Sequence, residues 1–186
     1  IFLEQRKPKG TEYFNGILHA IQNNLIITFQ LNSYWAEATQ RRCVPKAIKE
    51  AQNRWYLIGY DLDREDFRNY GLDRITNFEI TSSKKATPNI NINDEYKNAF
   101  GIETYGEPTT ILIEFENSQK EYIKSLPFHP SQKIVEENNK SFIIEFFMHP
   151  TFDFIMEILR FGSWCEVLEP NEYRNQIKEV VNQMNR

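Results

Sequence analysis

The chain has few of the residues on which metal sites, disulfides and redox chemistry depend. Its two cysteines, Cys43 and Cys165, lie far apart without C-x-x-C spacing, and its three histidines show no ligand spacing. This pattern argues against a zinc site and a disulfide scaffold, and it is typical of a reducing compartment. We therefore expect a cytoplasmic protein with no metal site and no cofactor.

Glycine is also scarce, with seven residues in a chain of 186. There is no glycine-rich phosphate loop, and Gly162-Ser163-Trp164 lacks the pattern of a nucleophile elbow. The acidic turn at residues 61–66 contains Arg64 and is followed by no loop glycine, so it does not fit a calcium loop. We therefore expect that the protein is not an enzyme.

Long hydrophobic runs and a positive net charge are both missing. No stretch approaches the roughly 20 apolar residues that cross a membrane, and no signal peptide is present. The formal net charge is −4, whereas a protein that grips duplex DNA over a broad face is usually basic. We expect no membrane partner and no broad DNA-binding face. A local basic pocket is still compatible with this net charge.

Aromatic residues are abundant by contrast, with 14 Phe and 9 Tyr. Hydrophobic periodicity predicts a helix over residues 11–23 and then five short strands. The predicted strands are Leu25–Leu31, Gln40–Ala47, Arg54–Tyr60, Phe67–Leu72 and Arg74–Thr81. Pro45 interrupts the second strand, which indicates an edge strand or a bulge. Five short strands behind one helix favour a small, strongly bent barrel.

The second half has a different rhythm, which follows a segment rich in Ser, Lys, Thr, Pro and Asn. Its pattern predicts the order β-α-β-β-α-β, which is typical of a ferredoxin-like fold. The predicted elements are Thr109–Phe115, Gln119–Leu126, Gln132–Glu137, Ser141–Met148, Thr151–Arg160 and Trp164–Leu168. A closing helix follows, with Pro170 at its first position.

Motifs in the first half resemble those of the WYL domain. The matching stretches are Arg41-Arg42-Cys43-Val44-Pro45, Arg54-Trp55-Tyr56-Leu57-Ile58-Gly59-Tyr60, Phe67-Arg68 and Leu72-Asp73-Arg74-Ile75. The Trp-Tyr-Leu tripeptide alone is weak, but its distance from Leu-Asp-Arg-Ile makes the resemblance specific. The second half is similar to the WCX extension, through Phe161-Gly162 and the run Glu166–Pro170 before a closing helix.

The resemblance implies an α+β protein with three parts. Residues 11–82 would form the WYL domain, an SH3/Sm-like five-stranded β-barrel with an N-terminal helix. Residues 83–105 would form a linker, and residues 106–186 a ferredoxin-like βαββαβ WCX domain with a C-terminal helix. Within the barrel we expect Trp55 and Leu57 to face the core, because they alternate with Tyr56 and Ile58.

The resemblance also implies a function. WYL domains are the sensor or effector part of bacterial transcription regulators, in which a helix-turn-helix domain that binds DNA lies upstream. The chain begins at Ile1 rather than at a methionine, so we expect that domain to be missing here. The implied ligand is a nucleic acid or nucleotide, with single-stranded DNA, RNA and cyclic nucleotides as candidates, and the implied assembly is a homodimer.

The expected ligand-binding residues are Arg41, Arg68, Arg74, Phe29 and Tyr60. The three arginines match family positions, and a guanidinium suits phosphate and stacks on bases. Phe29 stands where family members usually have Tyr, and Tyr60 could line a pocket or close a core. Gly71 stands where family members often have Arg. Both Phe29 and Gly71 would remove a polar group from the expected pocket.

Each of these residues also has a structural interpretation. The basic run at residues 41–54 is equally typical of a solvated strand face, and Asp73-Arg74 could pin the barrel through internal bonds. Two functions therefore stay open at this point. The first is a ligand-sensing module that acts by population shift. The second is a structural dimerisation module with no ligand, in which Arg41 forms internal salt bridges.

Overall fold

The computed structural model describes residues 8–184 of the chain. Residues 1–7 lie outside this range, and so do residues 185 and 186 at the end of the expected WCX domain. The chain divides between Ile92 and Asn93 into two compact units. Each unit is built on one antiparallel sheet with helices, so the α+β class expected from the sequence is confirmed.

The first unit consists of one helix and five strands. A 3₁₀ turn at Thr11–Tyr13 leads into α1 (Phe14–Asn23), which ends where Asn24 adopts the left-handed conformation with φ of 52°. The strands that follow are β1 (Leu25–Leu31), β2 (Thr39–Ala51), β3 (Arg54–Asp61), β4 (Asp66–Gly71) and β5 (Ile75–Lys84). All five predicted strands are present, and β2 is longer than expected.

The five strands are arranged in the order β4-β3-β2-β1-β5. Strand β2 is therefore central, and the register shift between Pro45 and Ala47 makes Pro45 a bulge residue rather than an edge residue. Among residues 8–184 the strand pairings leave β4 and β5 as edges and do not close the sheet. The five-stranded sheet was thus predicted correctly, whereas a closed barrel is not found.

The core of the first unit lies between α1 and one face of its sheet. Ile17 and Ala20 of α1 are fully buried, as is Leu57 of β3. Trp55 packs against this core, and its ring meets Phe14 edge-on with the centroids 4.8 Å apart. The prediction that Trp55 and Leu57 face the core is confirmed.

The second unit contains the remaining four helices and four strands. They are α2 (Ile92–Tyr96), β6 (Thr109–Glu116), α3 (Lys120–Ser125), β7 (Lys133–Glu137), β8 (Ser141–Met148), α4 (Phe152–Leu159), β9 (Cys165–Glu169) and α5 (Asn171–Met184). The sheet order is β7-β8-β6-β9. Its core is rich in phenylalanine, and Pro170 precedes α5 instead of opening it.

Two buried histidines hydrogen-bond the segment after α2 to the loops that flank β7 and β8. His129 donates from Nε2 to the carbonyl of Lys97 at 2.9 Å, and its Nδ1 accepts the backbone N–H of Ser131. His149 donates from Nδ1 to the carbonyl of Gly106 at 2.7 Å. Lys97, and Asn98 whose carbonyl accepts the backbone N–H of His149, lie in the segment expected to be a linker and are thus bonded within the second unit.

The His129 ring gives the second unit a predicted dependence on pH. Burial lowers the pKa of His129 below its usual value of 6.5. The neutral ring is favoured in the folded state, so its contribution to stability is present above pH 6.5 and is lost as the pH falls through the lowered pKa. We expect the urea midpoint of the second unit to fall between pH 7 and pH 5.

The matched variants are His129→Asn and His19→Asn, since His19 is exposed on α1. His129→Asn should lower stability at pH 7 and flatten the pH dependence, while His19→Asn should preserve it. An equally steep pH dependence in His129→Asn would contradict the assignment.

Candidate functional site

A buried carboxylate organises one end of the first sheet. Asp61 is completely buried at the end of β3. Its Oδ2 accepts the hydroxyl of Tyr70 at 2.5 Å, and its Oδ1 accepts the backbone N–H groups of Asp63 at 2.9 Å and Arg64 at 3.0 Å. These three bonds satisfy a charge that would otherwise be costly to bury.

Arg41 forms a long salt bridge with this carboxylate, as the structural alternative predicted, but no hydrogen bond. Its Nε is 4.0 Å from Oδ2 of Asp61, which is too long for a hydrogen bond, and its side chain is only 16% exposed. Three other arginines of the first unit hold closer carboxylates. Arg42 bonds Asp63 at 2.6 Å, Arg54 bonds Asp73 at 2.8 Å, and Arg68 lies 3.0 Å from Asp66.

The strand register brings two of the predicted arginines to one face of the sheet. Cys43 pairs with Asp61, which in turn pairs with Asp66, so Arg41 and Arg68 lie on the face that carries Asp61. Arg68 is accessible, with 45% of its side chain exposed.

Tyr60 does not join these arginines. It pairs with Phe67 across β3 and β4, on the face opposite to Asp61, and the two rings meet edge-on at 5.3 Å. Phe29 pairs with Arg41 in the sheet, yet its side chain is fully buried in the core. The structure therefore gives both aromatic candidates packing contacts.

The hydroxyl that is missing at Phe29 is replaced by one nearby. The Phe29 ring meets the ring of Tyr70 edge-on with the centroids 5.1 Å apart, and Tyr70 bonds Asp61. Burial and this hydrogen bond raise the pKa of Tyr70, so its phenol stays protonated at neutral pH and donates to Asp61. The neighbourhood of Arg41 thus keeps a polar group despite Phe29.

Arg74 belongs to a second cluster, at the end of the β1–β2 hairpin. Its Nε donates to the carbonyl of Asn32 at 2.9 Å, and its guanidinium lies 5.4 Å from the ring centre of Tyr34. Within residues 8–184 no carboxylate lies within salt-bridge distance of Arg74. The prediction that Asp73-Arg74 forms internal bonds is confirmed, because Asp73 also holds Arg54.

Gly71 leaves room for an aspartate of this second cluster. A Cβ built at Gly71 would lie 2.7 Å from Oδ1 of Asp73. Asp73 is held through its other oxygen by Arg54 at 2.8 Å and by the hydroxyl of Tyr34 at 3.4 Å. A side chain at residue 71 would displace Asp73, so the glycine makes room for the Arg54–Asp73 pair.

Sequence reasoning missed Asp61 and Tyr70 as part of the site. The acidic turn was considered only as a cation loop, although an aspartate at the start of a turn commonly caps backbone N–H groups. In the part of the chain that the structure describes, no group of three His, Cys, Asp or Glu residues is placed to hold a metal ion. No described helix is long and apolar enough to cross a membrane.

Fold and site together define a two-unit α+β protein with partly desolvated arginines on its first sheet. Residues 12–80 match the family model of the WYL domain, and residues 107–184 match that of the WCX domain. The chain therefore belongs to the WYL domain family, with a WCX domain after its WYL domain.

Solved structures are similar at the level of fold. The chain is 15% identical to a CRISPR Cas-related protein over 95% of its length, with a TM-score of 0.57, and it spans 52% of that protein. It is also 15% identical to the proteasome accessory factor B/C (PafBC) of Arthrobacter aurescens over 98% of its length, with a TM-score of 0.40, and spans 28% of it. The chain thus covers about half or less of both.

The bond between Tyr70 and Asp61 can be tested by removing one oxygen atom. Tyr70→Phe keeps the ring contact with Phe29 but leaves a buried carboxylate oxygen without its donor. We expect a loss of about 1–3 kcal/mol in the free energy of unfolding, measured by urea denaturation. Tyr122→Phe, at an exposed tyrosine, is the control. An unchanged midpoint for Tyr70→Phe would show that this bond does not stabilise the fold.

Proposed function

We propose that the chain is the ligand-sensing region of a bacterial transcription regulator. WYL domains are ligand-sensing regions of such regulators, and this chain contains one followed by a WCX domain. In this proposal the WYL domain binds a nucleic acid or nucleotide in the cytoplasm. The ligand controls an upstream helix-turn-helix domain, and the protein performs no catalysis.

The observation that carries the proposal is the state of Arg41. Its side chain is only 16% exposed, yet its Nε lies 4.0 Å from the nearest carboxylate oxygen, which already accepts the Tyr70 hydroxyl. A partly desolvated guanidinium binds phosphate strongly through its fork of N–H donors. In the proposal, Asp61 orients Arg41 through its Nε, and the other N–H groups of the guanidinium donate to a phosphate of the ligand.

The presence of two arginines on one face favours a ligand with more than one phosphate. Arg41 and Arg68 both lie on the face of the sheet that carries Asp61. Arg68 is half exposed and would exchange Asp66 for a phosphate at small cost, because exposed ion pairs contribute about 0–1 kcal/mol. A single-stranded DNA or RNA offers a phosphate to each arginine, whereas a cyclic mononucleotide has one phosphate to offer.

We also propose a specific fold for each of the two domains. The order β7-β8-β6-β9 supports a ferredoxin-like WCX domain, and the bulge at Pro45 in a central strand supports an SH3/Sm-like bend in the WYL sheet. Signalling requires that the ligand bind one arrangement of the protein better than another. We propose that the WCX domain transmits this difference or forms a homodimer.

Salt-dependent binding of single-stranded oligonucleotides tests the proposal. Each phosphate contact adds about one unit to the slope of log K against log salt, so Arg41→Ala and Arg68→Ala should each flatten it by about one. Arg41→Lys should keep the slope and lose affinity, because it keeps the charge but loses the fork.

Arg160→Ala is the matched control, since Arg160 is exposed on the second unit and paired with Glu157. Circular dichroism of each variant checks that the fold is intact. Absence of binding by the native protein to single-stranded DNA, RNA and cyclic nucleotides alike would reject the proposal.

A structural dimerisation module is the second candidate. The proximity of Arg41 to Asp61 fits an internal role, and Val181 and Met184 expose apolar surface on α5, at 40% and 72%. This candidate predicts a dimer that does not bind oligonucleotides. Light scattering should then show a dimer for the native protein and for Gln176→Lys, and a monomer for Val181→Lys. A native monomer would eliminate this candidate.

A further inference from the structure

Trp35 is the most exposed of the large apolar side chains that the structure describes. It lies in the loop at residues 32–38 between β1 and β2, and 94% of its surface is accessible. The indole therefore takes no part in the core of the first unit. Such a large exposed apolar surface has no benefit for stability.

The loop around Trp35 is nevertheless anchored. Ser33 Oγ accepts the backbone N–H groups of Trp35 at 3.1 Å and Ala36 at 3.2 Å. At the start of the loop, the backbone N–H of Asn32 donates to the carbonyl of Arg74 at 2.9 Å. These bonds before and at Trp35 limit the conformational entropy that this part of the loop loses when a ligand binds.

The surroundings of Trp35 favour a single flat partner over a protein surface. Tyr34 beside it is also exposed, at 67%, and the other neighbours in the loop are small or polar: Ser33, Ala36, Glu37 and Ala38. A stable protein interface buries roughly 800 Å² on each partner around an apolar centre, which two rings among such residues do not provide. One ring does match the area of one base, and stacking on a base needs no apolar surround.

The charge next to the loop favours an anionic partner. Arg74 lies over the ring of Tyr34, the residue before Trp35, and its Nε is bonded to a neutral carbonyl. Within residues 8–184 no carboxylate pairs with its guanidinium, so its charge is available to a phosphate. Glu37 is the opposing charge in the loop, and its side chain belongs to an exposed residue where solvent screens it.

The loop is continuous with the proposed anion site. The pair Leu31–Thr39 closes the hairpin, and Arg41 lies two residues further along β2, about 7 Å away. A strand whose phosphate is held at Arg41 would therefore extend towards Trp35 and Arg74 at one end of the sheet.

We infer that Trp35 is a stacking platform for an unpaired nucleobase of the ligand strand, of DNA or RNA, beside a phosphate held by Arg74. This inference rests on the proposed function and adds to it a contact outside the predicted set of residues. Every base has a flat face, so the contact tolerates sequence and adds affinity.

The test measures binding of labelled oligo-dT and oligo-rU to the full chain by fluorescence anisotropy. Trp35→Ala should weaken binding by about 5- to 150-fold, the range found when one stacking aromatic is removed. Trp35→Phe should restore most of the affinity, because it restores a ring. Trp164→Ala is the matched control, since Trp164 is 49% exposed on the second unit.

Tryptophan emission gives a second, direct readout. The oligonucleotide should quench the native protein, and the quenching should largely disappear in Trp35→Phe although that variant still binds. A loss of affinity in Trp35→Ala with oligo-dT alone or with oligo-rU alone would support stacking and show which of the two strands the site accepts.

Three results would overturn the inference in distinguishable ways. If Trp35→Ala binds as tightly as the native protein, the inference is wrong while the proposed function stands. If the native protein binds neither strand, the proposed function fails and the inference with it. If Trp35→Ala keeps its affinity but changes the mass seen by light scattering, Trp35 is a contact between protein copies.

Discussion

The arrangement of the first unit depends on one buried negative charge. Asp61 has no contact with solvent, and a carboxylate in that position is tolerated only if donors surround it. Tyr70 and two backbone N–H groups supply them. Because these donors already bond both oxygens of Asp61, the guanidinium of Arg41 lies 4.0 Å away and forms no hydrogen bond with the carboxylate. A weakly held cation beside a fully bonded anion is what a sensor needs, because the ligand does not have to break a strong internal pair.

Much of the fold was predictable because it follows from local pattern. The strands of both halves show alternating or continuous apolar runs, and α1 and α4 show helical spacing, so their positions agree with the structure. Pro45 shows the limit of such reasoning. A proline in a strand indicates an edge or a bulge, and only the pairing on both sides of β2 shows that the bulge is the correct alternative.

The site was less predictable, because its contacts join distant positions. Arg41 meets Asp61 only through the register of β2 against β3, and a one-residue shift would send them to opposite faces. The resemblance identified the arginines, yet it could not show that Arg68 has a carboxylate at 3.0 Å whereas the carboxylate beside Arg41 lies at 4.0 Å. Phe29 was a candidate through its position in the resemblance, and Tyr60 had two open roles. The burial of Phe29 and the contact of Tyr60 with Phe67 follow from packing that no local pattern contains.

Gly71 has a consequence for how this sequence can change over generations. Its missing side chain leaves room for Asp73, which in turn holds Arg54 and Tyr34. A side chain at residue 71 would move the Asp73 carboxylate, and with it the acid that Arg54 and Tyr34 share. A substitution at residue 71 is therefore coupled to residue 73, and the effects of changes at the two positions should not add.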